Sequence, residues 1–176
     1  MLQFRKATLD DLLLYFDWAN DEEVRKNSYQ SNPISLENHT RWFTKKIQAT
    51  ETLMLLFENE QNQKIGQVRF ETELNHAVIG ISTDANQRGK GYAVKMLQMA
   101  CTEYLTLYPS NRIYAYIKKD NLASYKAFIA AGFQLVEEVI EEGIASYKLI
   151  KENVPCLHYY TMGNPDITLK VAREVF

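Results

Sequence analysis

The amino-acid sequence predicts a mixed α/β domain in which helices cover both faces of one central, mostly antiparallel sheet. Three observations predict it. Residues 52–83 read as three consecutive strands broken only by polar turns, the pattern of an antiparallel meander. The next ~40 residues alternate strand, helix and strand, which requires a parallel crossover within the same sheet. Helical segments with apolar residues at 3.6-residue spacing stand before, within and after the strands, so both faces of the sheet have material to cover them. With 176 residues, the chain suffices for one domain with a substantial core.

Taken in order, "LQFRKA" alternates as a strand, and "TLDD" at Thr8 reads as a capping box opening a helix through Trp18. Leu9, Leu12, Leu13 and Phe16 share one face of that helix and predict its buried side. A short segment follows around Val24 to Tyr29. Pro33 then breaks the chain, and Ser35 caps a helix, "LENHTRWFTKKIQ", expected to bury Leu36, Phe43 and Ile47 with His39 and Trp42 beside them. The meander is "TLMLLFE", "KIGQVRFETE" and "AVIGIST"; in its second strand Val68 and Phe70 alternate with Gln67, Arg69 and Glu71. After a glycine turn, Val94, Leu97, Cys101, Tyr104 and Leu105 mark a helix that Pro109 ends. "RIYAYIKK" is the next strand, "NLASYKAFIAA" a short helix stopped at Gly132, and "QLVEEVIEEGIASYKLIKE" a hairpin turning at Glu142 and Gly143. The domain is assigned to residues 1–151. Residues 152–176 form an extension with a short helix over 167–175, expected to pack on the domain, on a second copy in a homodimer, or over the acceptor cleft.

Composition excludes several classes. A net charge of −2, with basic residues spread along the chain, argues against nucleic acid as a partner. The N-terminal segment lacks the apolar core of a signal peptide, and no stretch approaches the ~20 apolar residues of a membrane span. Cys101 and Cys156 are far apart and without metal-ligand spacing, so no metal is expected and Cys101 reads as a reduced, buried thiol. These features point to the cytoplasm.

The chemistry concentrates in "ANQRGKGYAVKML", residues 85–97. Arg88-Gly89-Lys90-Gly91 lies between a strand ending at Thr83 and a helix starting near Gly91. The first amides of that helix have no intrahelical partner and, with the helix dipole, suit an anion. Glycines let the backbone approach it closely, and Arg88 and Lys90 add charge. The pattern matches neither the P-loop nor the dinucleotide fingerprint. Taken alone, it is equally the sequence of a solvated basic loop.

Arg88-Gly89-Lys90-Gly91-Tyr92-Ala93, followed by Asn121, Ser124, Phe128 and Gly132-Phe133, resembles the two signatures of the GNAT superfamily of acyl-CoA-dependent N-acyltransferases. The element order agrees over residues 2–150. The resemblance implies a sheet splayed between its fourth and fifth strands, with acetyl-CoA as co-substrate in that gap. Backbone groups of Ile81 and Thr83 would pair with the pantetheine arm and polarise the acetyl carbonyl. Amides of Arg88, Gly89, Lys90, Gly91, Tyr92 and Ala93 would hold the pyrophosphate. Asn121 and Ser124 would contact pantetheine or the nearby phosphate, Phe128 would line the site, and Lys126 would reach the adenosine end. An unprotonated amine then attacks the thioester directly.

Many members carry a tyrosine, the acid for the leaving thiolate, where this chain has Phe128, and phenylalanine cannot do that work. Tyr125, about one turn earlier, is the substitute candidate; as a rival reading it is an ordinary amphipathic surface tyrosine. His76 is a candidate base because its unperturbed pKa lies near ~6.5, with Glu71 and Glu73 as rivals acting through water. The N-terminal third resembles the branch that acetylates UDP-linked 4-amino-4,6-dideoxy sugars of the pseudaminic-acid pathway: Trp18, Asn20, Val24-Arg25, Ile34-Ser35, Glu37, His39 and Trp42-Phe43 stand in that branch's order. The implied partner is thus a small-molecule amine, a nucleotide sugar. Tyr29 or Trp42 would stack its base or sugar, Arg25 and Arg69 would pair with its diphosphate, and His39 or Gln67 would hold hydroxyls, with Asn20 close by. As a rival reading, Trp18 and Trp42 are core anchors. Ribosomal-protein N-terminal acetyltransferases are the alternative enzyme, and a non-catalytic acyl-CoA-binding module is the alternative of another class.

Overall fold

A computed structural model describes residues 1–153; the expected tail helix over 167–175 and Cys156 lie outside the described residues. Seven strands of the described residues form one sheet, β1 (Leu2–Lys6), β2 (Thr52–Asn59), β3 (Lys64–Glu73), β4 (His76–Thr83), β5 (Arg112–Lys118), β6 (Gln134–Glu141) and β7 (Ile144–Glu152). Their order across the sheet is β1-β2-β3-β4-β5-β7-β6, and every neighbouring pair is antiparallel except β4 and β5. The mixed, mostly antiparallel sheet expected from the sequence is therefore present.

Among the described residues there are five α-helices, α1 (Leu12–Asn20), α2 (Glu22–Asn27), α3 (Leu36–Gln48), α4 (Tyr92–Leu107) and α5 (Leu122–Ala130). Two buried clusters lie against the sheet. One packs α4 and α5 on it through Met96, Leu97, Tyr104 and Phe128. The other packs α1 and α3 through Tyr15, Trp18 and Phe43 against Met54 and Leu56. Because β2 side chains alternate, Leu55 and Phe57 serve the first cluster while Met54 and Leu56 serve the second. Burial on both faces of β2 explains its near-continuous apolar run.

Local signals act where they stand. The Asp11 carboxylate accepts from the Thr8 amide at 2.8 Å, closing half of the capping box, and the Ser35 hydroxyl accepts from the Asn38 amide. The hairpin turns on Glu142 and Gly143, both at positive φ. Two helix faces differ from expectation. In α1 and the 3-10 turn preceding it, Leu9 and Leu13 are exposed while Tyr15 and Trp18 are buried, and Leu36 at the start of α3 is exposed too. The large aromatics bury more area than the leucines and set the rotation of the helix.

Candidate active site

The fourth and fifth strands pair only from His76↔Arg112 to Val78↔Tyr114. Beyond that point β4 runs on to Thr83 and β5 to Lys118 without pairing, so one edge of each strand faces a gap. Gly66 seats the far end of β4: a Cβ there would overlap the Ser82 carbonyl and lie 2.8 Å from Met96 Cε. No other residue fits between β3, β4 and α4 at that point.

A cleft of about 800 Å³ occupies the gap on the α4 and α5 side. Its walls include Ile81 and Thr83 on β4, Arg88, Gly89, Gly91, Tyr92 and Ala93 at the mouth of α4, and Asn121, Ser124, Lys126 and Phe128 on α5. Gly91 is the N-cap of α4 at φ +75°, and Gly89 sits at +74°. Two left-handed residues in this turn leave the leading amides of α4 open at the cleft. The Asn121 side chain caps α5, accepting from the Ser124 amide at 3.1 Å. Lys90 is the exception among the expected cofactor residues; its ammonium donates to Gln87 Oε1, and it is not part of the wall.

Two long-range contacts join this turn to the N-terminal helices. Arg88 pairs with Asp21, which also caps α2 through the Val24 amide, and Trp18 Nε1 donates to Asp84 at 2.9 Å. Arg88 therefore brings a neutralised charge to the cleft rather than a free one, and its guanidinium holds the Asp21 carboxyl below the usual carboxylate range against the opposing effect of burial.

A second cavity, of about 510 Å³, opens on the other side of the splayed strands. Arg25, Tyr29, His39, Trp42, Gln67 and Arg69 all line it, together with Tyr15 and Trp18. Six of the seven residues expected to bind the acceptor are thus brought together. Asn20 is not: its amide and carbonyl are both spent on the backbone of Ile34, at 3.0 and 2.8 Å. Of the five buried side-chain polar atoms without a partner among the described residues, four belong to this cavity: Tyr15 Oη, Arg25 Nε, His39 Nε2 and Gln67 Oε1. Such atoms are costly unless a ligand or water completes them.

The individual environments are distinct. Burial pushes the His39 imidazole below its ordinary value, with the Leu12 backbone pulling the other way, and burial raises the Tyr15 phenol, so both face the cavity uncharged. Arg25 donates to the Gln30 carbonyl at 3.1 Å and to Ser28 Oγ at 3.0 Å, and no carboxylate pairs with it among the described residues. Arg69 lies over the Trp42 ring at 5.0 Å and is paired with Glu71 at 2.9 Å. Glu141 at the end of β6 and Glu142 in the β6–β7 turn complete the lining on the Tyr29 side.

The three expected acid–base residues fall outside both cavities. Glu71 is taken up by Lys46 and Arg69, which hold it below the usual carboxylate range although burial opposes them. His76 stands at the paired end of β4 with its ring edge on Tyr114. Tyr125 packs its ring on Tyr147 at 4.6 Å, because α5 turns positions 124, 127 and 128 toward the cleft instead. Missed from sequence were Gly66, whose role is visible only once β3 meets α4, and the aspartates Asp21 and Asp84, which lie 67 and 66 residues from their partners Arg88 and Trp18. Among the described residues no group of three or more His, Cys, Asp or Glu side chains gathers as a metal site, and no helix is long and apolar enough to cross a membrane.

A sheet parted at its centre, with a cleft at a glycine-rich helix mouth on one side and a polar cavity on the other, defines an acyltransferase class of site. Residues 1–134 match the acetyltransferase (GNAT) domain family, and the chain belongs to that family. It is accordingly an acetyl-CoA-dependent N-acetyltransferase. Similar solved structures include spermidine N-acetyltransferase from Vibrio cholerae in complex with CoA and spermine, at 19% identity and a TM-score of 0.78, covering 85% of this chain and 94% of that one. The aminoglycoside acetyltransferase AAC(6')-Ib in complex with coenzyme A and kanamycin matches at 18% identity and a TM-score of 0.73, over 86% of this chain and 95% of that one. At that identity the likeness is one of fold. No curated protein matches the sequence significantly.

Proposed function

We propose that the chain acetylates the primary amine of a hydroxylated, phosphate-bearing acceptor, a UDP-linked 4-amino-4,6-dideoxy sugar. The observation that carries this reading is Arg25, a half-buried guanidinium with an open Nε and no carboxylate partner among the described residues, beside three further unpartnered polar groups in the second cavity. A cavity meant for a polycation would not keep a guanidinium unneutralised. A diphosphate would supply the missing partner, while His39 Nε2 and Gln67 Oε1 would accept from sugar hydroxyls and Trp42 or Tyr29 would stack on an apolar face.

In this reading acetyl-CoA lies in the first cleft. The amides at 88–93 hold its pyrophosphate at the N-terminus of α4. Backbone groups of Ile81 and Thr83, left unpaired by the splay, bind the pantetheine as an added strand and polarise the acetyl carbonyl. Asn121, Ser124 and Lys126 flank the arm, and Phe128 packs along it. The amine arrives from the second cavity and attacks across the gap, with positioning supplying most of the acceleration.

A second reading has one observation in its favour: Glu141 and Glu142 would draw a cationic amine such as a polyamine, an aminoglycoside or a ribosomal N-terminal peptide. Release of CoA thiol decides between them. Turnover with a UDP-4-amino sugar well above that with spermidine, kanamycin or N-terminal peptides is expected, and Arg25→Ala should raise the nucleotide-sugar KM roughly tenfold to a hundredfold, the value of a charge-assisted contact. Preference for spermidine or kanamycin, untouched by Arg25→Ala, would overturn the nucleotide-sugar assignment.

A further inference from the structure

Attack on a thioester ends with sulfur leaving as a thiolate, which needs a proton, and none of the expected donors is in place. Phe128 has no proton to give, while Tyr125, His76 and Glu71 line neither cavity. Among the described residues the two cavities share few walls: Val24, Ser28, the β4 stretch 79–82, and Tyr116. Of these only Tyr116 carries a phenol, a better proton donor than the hydroxyls of Ser28 and Ser82. Resting on the acetyl-transfer reading above, we propose that Tyr116 is the general acid that protonates the sulfur of coenzyme A.

Its position follows from the sheet. Strand pairing between β4 and β5 ends at Val78↔Tyr114, and Tyr116 is the next β5 residue on that same face, where the gap opens. Tyr116 is half-buried and lines the donor cleft and the acceptor cavity alike; with Ile113, Ala115 and Ile117 facing α4 and α5, its ring lies on the acceptor side of the splay. No hydrogen bond to a described residue occupies its hydroxyl. The other two tyrosines of the acceptor cavity, Tyr15 and Tyr29, differ: neither lines the donor cleft, burial raises the pKa of both, and the Tyr29 hydroxyl meets Ser146 Oγ at 2.9 Å. The charged groups around Tyr116 are Lys148, its register partner on β7, and Lys118, two residues on, with Glu141 and Glu142 beyond Tyr29.

The step balances without another reagent. The amine nitrogen bonds to the acetyl carbon, and the carbonyl pair moves to oxygen. Its return breaks the C–S bond, and the sulfur takes the phenolic proton of Tyr116. The resulting phenolate recovers a proton from the nitrogen of the forming amide. The sum is amine plus acetyl-CoA giving acetamide plus CoA thiol.

The test is Tyr116→Phe, which keeps the ring and loses only the hydroxyl, in two assays: amine-dependent CoA release and the slower amine-independent hydrolysis of enzyme-bound acetyl-CoA. The expected result is a kcat lower by about 10²–10⁴-fold in both, the usual weight of one acid–base group, with acetyl-CoA KM and melting temperature unchanged. A kcat within threefold of the wild type, a loss confined to KM, or a larger kcat loss in Tyr125→Phe would overturn the assignment. A wild type that ignores nucleotide sugars overturns the acceptor reading alone, since hydrolysis still reports on Tyr116.

Discussion

Replacing Gly91 with alanine separates the backbone's role from the side chain's. A Cβ built at Gly91 meets nothing within 4 Å, so the substitution brings no clash, only the burden of holding an L-residue at φ +75°. That burden is about 1–2 kcal/mol. For a domain of this size each kcal/mol moves the melting temperature by roughly 2–4 °C, so a fall of about 2–8 °C is expected by scanning fluorimetry. The chain escapes the strain by rotating φ, and rotation re-aims the Tyr92 and Ala93 amides at the mouth of α4. Loss of one such amide from a bound pyrophosphate costs roughly 1.5–3 kcal/mol, or about a tenfold to hundredfold rise in acetyl-CoA KM, with the acceptor KM unmoved. A variant with the lowered melting temperature but an unchanged acetyl-CoA KM would refute the assignment of this turn to the pyrophosphate.

Gly66→Ala forces a methyl against the Ser82 carbonyl and Met96, so it should cost about 1–3 kcal/mol as overpacking does and raise acetyl-CoA KM by displacing β4; wild-type melting and KM would contradict the account of the strand's seating. Asp21→Asn keeps the α2 cap but removes the carboxylate that competes for Arg88, so acetyl-CoA KM should fall severalfold, and a rise would show that the Arg88–Asp21 pair itself shapes the cleft. Asp11 and His39 both have native pKa values depressed, the first by the Arg5 hydrogen bonds and the second by burial, so each binds its proton more readily when unfolded. Stability therefore falls on acidification, through His39 as pH drops below the ordinary ~6.5 of imidazole and through Asp11 below the ordinary ~3.9 of a carboxyl. Asp11→Asn should lower stability by about 1 kcal/mol at pH 7, given the half-exposed Arg5, and the two melting curves should converge toward pH 3; a constant gap would exclude the ionic origin. Burial pushes the Cys101 thiol up to about 12, so native protein should react with a disulfide reagent at this residue only as fast as it unfolds, and rapid labelling would contradict the packing of α4.

What was legible in the sequence was local. The meander, the cap at Ser35, the turn at Glu142 and Gly143, and the glycine turn at 89–91 ahead of a helix each depend on residues within a few positions of one another. The walls of both cavities were largely legible too, because resemblance carried them residue by residue. What failed depended on rotation about an element axis or on distant pairing. Apolar spacing near Leu9 and Leu13 marked a helical stripe but not that Tyr15 and Trp18 would claim the core. Tyr125 sits about one turn from Phe128, yet α5 presents it to Tyr147 rather than to the cleft. Glu71 and His76 sit near the right strands, but ion pairs and register place them away from the gap. Tyr116 was one of two alternating tyrosines in "RIYAYIKK" until the end of β4–β5 pairing gave it a position at the splay.

The most direct test of the whole account is a crystal structure with acetyl-CoA bound. Pyrophosphate oxygens are expected within hydrogen-bond distance of amides in the 88–93 turn, pantetheine alongside Ile81 and Thr83, and the thioester sulfur within reach of the Tyr116 hydroxyl. Coenzyme A seated elsewhere, or a thioester turned away from the cavity that holds Arg25 and His39, would contradict it.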